Sequence, residues 1–247
     1  NHGALGDVIC SLPAVIKARQ SRSNALRIRV WVPPWQMELI DHLLKPYGEF
    51  EIKDLRDFPM RLAQRKGWGG GPVAINQIPF NTHTRNRVHM VDYTFGCVLD
   101  ARPESMAERN YPTAAPLAKR TIPEPYVVFP TGATSGNKLF KAHVMAPIIE
   151  WVDAQGYVPV LVGTKTSHTH TQVGNEVSLK PLDIIDEVDK LPLAVREKCV
   201  DLREKTTLLE LRDLLGHAEA VVGVDGGTLH LAGTTDTNII YAMGTTH

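Results

Sequence analysis

Four groups of residues could do chemistry together if a fold brings them to one place. Asp225, Gly226 and Gly227 cut the apolar run of Ala220, Val221, Val222 and Val224, and Thr228 to Ala232 then resume at helical spacing, with His230 among them. Paired glycines permit a sharp turn and a close ligand approach, and a helix that follows offers unpaired N–H groups of partial positive charge. Such a turn can cradle a diphosphate, although taken locally a plain strand-to-helix turn is the simpler reading. The second group is Thr131 to Gly136, a small-residue loop rich in hydroxyls and accessible N–H groups, with Lys138 just behind it. The third is Asp7, which follows Gly3 and Gly6 at the start of a helical pattern and can serve either as a helix cap or as a general base. The fourth is Arg61, Arg65 and Lys66 beside a glycine-rich loop, three cations that can hold an anionic acceptor or simply form a solvated face.

The elements that must position these groups follow from periodicity and punctuation. Val8, Ile9, Leu12, Val15 and Ile16 recur at helical spacing up to a basic end at Lys17 and Arg19, with Pro13 implying a kink or a short first turn. Leu26 to Val32 alternates as a strand and stops at Pro33-Pro34. Trp35 to Leu44 reads as a helix, Phe50 to Ile52 as a short strand, Val73 to Ile75 as another, and Thr82 to Leu99 as a helix with Val88, Val91, Phe95 and Val98 inward. Arg102 to Pro125 carries five prolines and little periodicity, the mark of a linker. Beyond it come a strand at Tyr126 to Phe129, a helix near His143 to Gln155 ended by Gly156, and a strand at Val158 to Val162. Residues 164 to 196 are the least readable. Cys199 to Leu202 is then a short strand, Thr207 opens a helix to His217, Ala220 to Val224 leads into the Asp225 turn, and Asn238 to Met243 is a last strand.

Strands alternating with helices imply parallel sheets with right-handed crossovers, and two such runs split by a proline-rich stretch imply two doubly wound lobes facing a cleft. Ligands then bind beyond the carboxyl ends of the strands, where Asp7, the Thr131 to Lys138 loop and the Asp225 turn are all expected. Twenty-seven basic residues balance twenty-seven acidic ones, so no global charge calls for a polyanion. Cys10, Cys97 and Cys199 are odd in number and widely spaced, which fits neither a disulfide framework nor a zinc site and points to a reducing, cytoplasmic setting, the inner face of a membrane included. No apolar run has bilayer length and no secretory signal is present. His168 and His170 have a spacing seen in some metal sites, but without Cys or carboxylate partners a solvated loop is the simpler reading, and no metal is expected.

Three segments, GALGDVICSLPAV, TGATSGNKLFKAHVMAPIIEWVDAQGYVPVLVG and TTLLELRDLLGHAEAVVGVDGGTLHLAGTTDTNIIYAMGTT, occur in the order in which similar motifs occur in the heptosyltransferase family, the ADP-heptose:lipopolysaccharide transferases of glycosyltransferase family 9. The resemblance covers about two fifths of the chain. It implies an α/β, GT-B fold of two Rossmann-like lobes: an N-terminal acceptor-binding lobe over 1–112, a proline-rich linker over 113–125 and a C-terminal nucleotide-sugar-binding lobe over 126–247. It places Asp7 as catalytic base, Lys138 as the phosphate-binding lysine, Asp225, Gly226, Gly227 and His230 in the diphosphate turn, and Thr131 and Thr134 as further donor contacts. Arg61, Arg65 and Lys66 fall where family members hold acidic inner-core sugars.

The implied reaction is an inverting glycosyl transfer from a nucleotide-sugar, an ADP-sugar being favoured, to a hydroxyl of a glycan acceptor, with no cofactor besides the donor substrate. Asp225 is expected to brace its turn by accepting backbone N–H bonds, because its charge would repel phosphates. Departures from the family pattern keep alternatives open: a relative with another acceptor, such as a modified nucleobase or a different glycan, or a nucleotide-binding protein without catalysis. Gly226 stands where the family has Thr or Ser. Phe140-Lys141 replaces an aromatic-proline pair, and Thr164 to Ser167 stand where a glutamate is expected after Gly163. The first strand expected before Asn1 and the closing helices expected after His247 are missing from the sequence.

Overall fold

The computed structural model describes residues 4–21, 27–58, 90–99, 102–118, 120–173 and 176–242. The chain divides into two compact units, Asn1–Ala114 with Thr169–Lys180, and Ala115–His168 with Pro181–His247.

In the first unit, helix α1 (Leu5–Gln20) buries Ile9, Leu12 and Ile16, three of the five positions picked out by helical spacing, together with Cys10, Ala14 and Ala18, while Val8 and Val15 are half-buried. It begins eight residues before Pro13 and runs on through it to Gln20, so the helix has no short first turn ending at the proline. Strand β1 (Ile28–Val32) pairs in parallel with β2 (Phe50–Asp54), and α2 (Met37–Leu44) connects them after a 3-10 turn at Pro34–Gln36. Helix α3 (Met90–Leu99) buries Val91 and Phe95, which pack with Cys10 and Ala14 of α1. Val73 to Ile75, Val88 and the basic residues Arg61, Arg65 and Lys66 lie outside the described residues.

The second unit is built on a five-stranded, fully parallel sheet in the order β7-β4-β3-β8-β9: β3 (Tyr126–Pro130), β4 (Val158–Val162), β7 (Val200–Asp201), β8 (Ala220–Val224) and β9 (Asn238–Ala242). Counted in chain order within the unit, this is the 3-2-1-4-5 arrangement of a doubly wound fold. Its order reverses between β3 and β8, the switch point where such sheets leave a crevice for ligands. The central strands are continuous apolar runs because parallel sheets are covered on both faces. Val127, Phe129, Leu161 and Val222 pack with Met145, Ile149 and Val152 of α4 (Ala142–Ala154). That helix ends at Gln155, and Gly156 takes φ +83°, a left-handed backbone that glycine adopts without cost.

The stretch that was least readable in sequence holds two strands, β5 (Thr166–Val173) and β6 (Glu176–Asp183), paired as a two-stranded sheet, then a 3-10 turn at Val188–Lys190 and the one-turn helix α5 (Leu193–Arg196). His168 and His170 therefore lie on a strand, not in the solvated loop expected. Helix α6 (Leu208–Gly216) starts in a reciprocal cap: Thr207 Oγ1 accepts Glu210 N–H at 3.2 Å and Glu210 Oε2 accepts Thr207 N–H at 2.7 Å. Its Asp213 accepts the N–H groups of Leu117 (3.1 Å) and Ala118 (2.8 Å), and its fully buried Arg212 donates to Thr234 O at 2.9 Å. These bonds fasten α6 on one side to the incoming chain and on the other to the end of α7 (Gly227–Ala232), the helix behind the Asp225 turn.

Candidate functional site

Two loops flank the switch point. The one after β3 carries Thr131 to Lys138, and the one after β8 carries Asp225 to Gly227. Each begins where an apolar strand runs out, so the switch between burial and exposure is written in the sequence. Lys138 sits in a 3-10 turn at Gly136–Lys138, and its Nζ donates to Asp225 Oδ2 at 2.6 Å across the crevice. His230 Nε2 lies 3.6 Å from Asp225 Oδ1. Lys138, Asp225 and His230, each singled out in the sequence, thus form one cluster whose side chains are 39%, 32% and 29% exposed.

Asp225 braces the turn through these side chains, where the sequence reading expected backbone N–H bonds. The physical reason is proximity: a cation within hydrogen-bond reach is a stronger partner for a carboxylate than a neutral amide. Partial burial alone would push the Asp225 carboxyl up, but the hydrogen bond and charge of Lys138, with His230 beside them, hold it below its ordinary value.

Gly226 is extended, at φ −175°, and a Cβ built there would meet only Val224 O at 3.7 Å, an ordinary contact. The turn thus does not require glycine at 226, in keeping with the Thr or Ser that the family resemblance sets at this position. Gly226 accepts Leu229 N–H at 3.1 Å and opens α7, which is only six residues long.

Thr131 and Thr134 lie in the same loop but in different surroundings. Thr134 is exposed, whereas Thr131 is 2% exposed and gives its hydroxyl to Asp186 Oδ2 at 2.8 Å. Asp186 was not foreseen, nor was Arg203, which meets the same Oδ2 through Nη1 at 3.2 Å and grips Asp201 through Nε and Nη2 at 3.0 and 2.7 Å. The Asp201 hydrogen bonds and charge hold the Arg203 guanidinium firmly protonated, and Arg203 in turn keeps the Asp201 carboxyl below its usual range. Glu187 accepts Ala142 N–H at 2.9 Å at the start of α4. A carboxylate also reaches the turn after Gly163: Glu204 Oε1 accepts Lys165 N–H at 2.5 Å, from a residue with φ +61°. It arrives from the chain after β7, so no local motif announces it.

Asp7 stands in the first turn of α1, partly buried, three residues after Ala4 at the N-cap position, and belongs to the first unit. Among the described residues no group of three or more His, Cys, Asp or Glu is placed to hold a metal ion, and no helix is long and apolar enough to cross a membrane.

Residues 99–247 match the family model described as glycosyltransferase family 9 (heptosyltransferase). Among curated proteins, lipooligosaccharide heptosyltransferase 2 of Haemophilus influenzae is 32% identical over 123 residues, 49% of this chain and 32% of that protein. Among solved structures, the dodecameric iron-containing heptosyltransferase TibC in complex with ADP-D-β-D-heptose gives a TM-score of 0.67 at 20% identity, over 99% of this chain and 57% of that one. E. coli ADP-heptose LPS heptosyltransferase II gives 0.62 at 15% identity, over 97% of this chain and 82% of that one. The chain thus spans about a third of its curated relative and little more than half of TibC. At these identities the structural likeness carries the fold, α/β of the GT-B type.

Proposed function

The chain belongs to glycosyltransferase family 9, the heptosyltransferase family, and from that premise we propose that it transfers a sugar, a heptose being favoured, from an ADP-type nucleotide-sugar to a hydroxyl of a glycan acceptor. The observation that carries this reading is the meeting of Lys138, Asp225 and His230 at the switch point of the second unit's sheet. TibC, of similar fold, binds ADP-heptose, and the H. influenzae relative is a lipooligosaccharide heptosyltransferase.

In this reading the acceptor oxygen attacks the anomeric carbon with inversion while its proton passes to Asp7, and the bond from that carbon to the diphosphate oxygen breaks. A positioned base of this kind is worth ~10²–10⁴-fold. Lys138 and the N–H groups of the Gly226–Gly227 turn take up the charge that grows on the departing diphosphate, and one such donor is worth about 10²–10³-fold. Asp225 keeps the ammonium of Lys138 aimed into the crevice and orients His230 toward the same space. Thr134 is the exposed hydroxyl of the donor loop, and Arg61, Arg65 and Lys66 are the cations assigned to an anionic acceptor.

The test is transfer from a panel of ADP-, UDP-, GDP- and CMP-sugars to a lipooligosaccharide core acceptor, using the full-length protein. Transfer from the ADP-sugar that drops at least ~10²-fold in Asp7→Asn, with nucleotide binding kept, is the expected result. Undiminished turnover in Asp7→Asn removes the base, and preference for another nucleotide removes the ADP assignment.

A further inference from the structure

We propose that Arg203 is a positioning residue for the nucleotide-sugar site, acting through Asp186 on Thr131 and hence on the loop that delivers Lys138. The inference rests on the reading of that loop as donor-binding.

Three neighbouring strands of the sheet, β7, β4 and β3, end side by side. Arg203 follows β7 and is anchored there by its fork onto Asp201. Its remaining arm reaches Asp186, whose Oδ1 accepts Val188 N–H at 2.6 Å and whose Oδ2 receives both Arg203 and the Thr131 hydroxyl at the end of β3. The lacing passes over the end of β4 at Gly163. This glycine takes φ +154°, and a Cβ built on it would come within 3.0 Å of Thr131 Oγ1. A side chain there would push the threonine out of register, so the glycine's two properties serve one contact. Two residues on, Ala133 exchanges backbone hydrogen bonds with Ile185 at 3.0 and 2.8 Å, which ties the loop to the segment that carries Asp186.

Thr131 is buried, and its hydroxyl has Asp186 Oδ2 at 2.8 Å as its nearer acceptor and Val162 O at 3.3 Å as a second, so it shapes the loop from within. The arginine suits this task because its planar fork holds two carboxylates in fixed directions at once, which a lysine's point charge does not. Without it Asp186 would keep only the neutral Val188 N–H and Thr131 hydroxyl as partners, beside a loop proposed to receive phosphates. Asp186 would then be free to leave Thr131 for water.

Calorimetric titration of the protein with ADP, with Lys138→Ala alongside, tests the inference. Arg203→Met is expected to weaken ADP binding about tenfold, since small misplacements of a positioning element carry losses of that order or more. Thr131→Val is expected to weaken it severalfold, and the double variant to be no worse than Arg203→Met, because both break one linkage. Arg203→Lys, which keeps the charge and loses the fork, should behave like Arg203→Met. Near-native ADP affinity in Arg203→Lys would show that the residue acts by charge alone and would overturn the proposal, as would losses that multiply in the double variant. A merely structural role would lower the melting temperature and leave the dissociation constant of the folded fraction unchanged; that pattern also overturns it. If Arg203→Met does not fold, Thr131→Val and Asp186→Asn carry the test, and unchanged ADP affinity in both sinks it. Weakened binding in Lys138→Ala with none in the Arg203 variants defeats this inference alone, whereas ADP binding indifferent to Lys138→Ala defeats the donor-site reading and this inference with it.

Discussion

Two polar clusters lie at the carboxyl end of the same parallel sheet and use the same kinds of residue, yet they are built for different ends. Thr131, Asp186, Arg203 and Asp201 form one, in which Asp186 and Arg203 are 17% and 14% exposed and Thr131 is buried. Lys138, Asp225 and His230 form the other, each about a third exposed. In the first, the bonds among Thr131, Asp186 and Arg203 join buried or nearly buried groups, with Asp201, 43% exposed, as the outer anchor of the arginine, and ions that close to the interior are stable only when paired. In the second, one ion pair spans an open crevice where water and phosphate can compete for it. The first cluster ties the framework together, and the second has side chains that solvent can reach. Burial, more than residue type, separates them.

The variant with the largest expected effect breaks the exposed cluster. If Lys138 is the cation that meets the diphosphate, as proposed, Lys138→Ala removes it, and ADP affinity measured by calorimetry should fall about 100-fold, in line with the loss of one preorganised charged donor. Thermal stability should barely move, because a half-exposed ion pair is worth under about 1 kcal/mol. A large drop in melting temperature with intact ADP binding would reverse the two assignments.

Gly163→Ala strikes the buried cluster and should show the opposite signature. At φ +154° an alanine is strained, and its Cβ would press on Thr131 Oγ1, so a destabilisation of about 1–3 kcal/mol is expected. In a protein of this size that is a fall of roughly 2–4 °C per kcal/mol in a scanning melt. An unchanged melting temperature would mean that the lacing across β4 is not under tension from its neighbours.

Much of this architecture was legible in the chain. Val158 to Val162 is a strand in both the periodicity and the fold, since a run of apolar residues closed by glycine has few other uses in a parallel sheet. Lys138 and Asp225 were both singled out, 87 residues apart, because each follows a strand whose carboxyl end faces the crevice. The buried cluster was not legible. Asp186 sits in an acidic stretch, IIDEVD, that reads as ordinary surface, and Arg203 follows a two-residue strand. Nothing in their spacing says that the fold brings one to the other. Strand β5 was missed because Thr-Ser-His-Thr-His-Thr-Gln alternates nothing apolar with anything polar, so the period-2 signal of a half-buried strand is absent. The role given to Asp225 was off for a related reason: from sequence its nearest donors are its own turn's N–H groups, while the fold supplies a lysine from another loop.

Acid titration sharpens the comparison at smaller scale. Asp225 is held below its ordinary value in the folded state despite partial burial, so its ion pair stabilises the protein above the unfolded carboxylate range, near pH 4, and that contribution fades as pH falls through the folded value. Wild type should therefore lose, below about pH 4, a stabilisation of less than ~1 kcal/mol that Asp225→Asn never had. Urea midpoints of the two proteins at pH 7 and pH 3 measure it. Equal acid sensitivity would mean that the Lys138 contact is too well solvated to count even as a local brace.

An effect of similar small scale, and of opposite sign, comes from Gly226→Ser, and it asks whether the open cluster has spare capacity. The backbone there is extended and a Cβ fits without a close contact, so serine should be accommodated with no strain. Residue 226 is also the N-cap of α7, a position where serine's oxygen can receive a backbone N–H and improves on glycine by a few tenths of a kcal/mol. If the crevice takes a diphosphate, the added hydroxyl is one more donor to it, and a neutral hydrogen bond of about 0.5–1.5 kcal/mol corresponds to roughly two- to tenfold tighter ADP binding. Tighter binding with an unchanged melt would place the ligand against the turn itself. A raised melt with unchanged binding would confine the serine to capping and put the phosphates nearer Lys138 than Gly226, so the one substitution resolves which side of the crevice the leaving group touches.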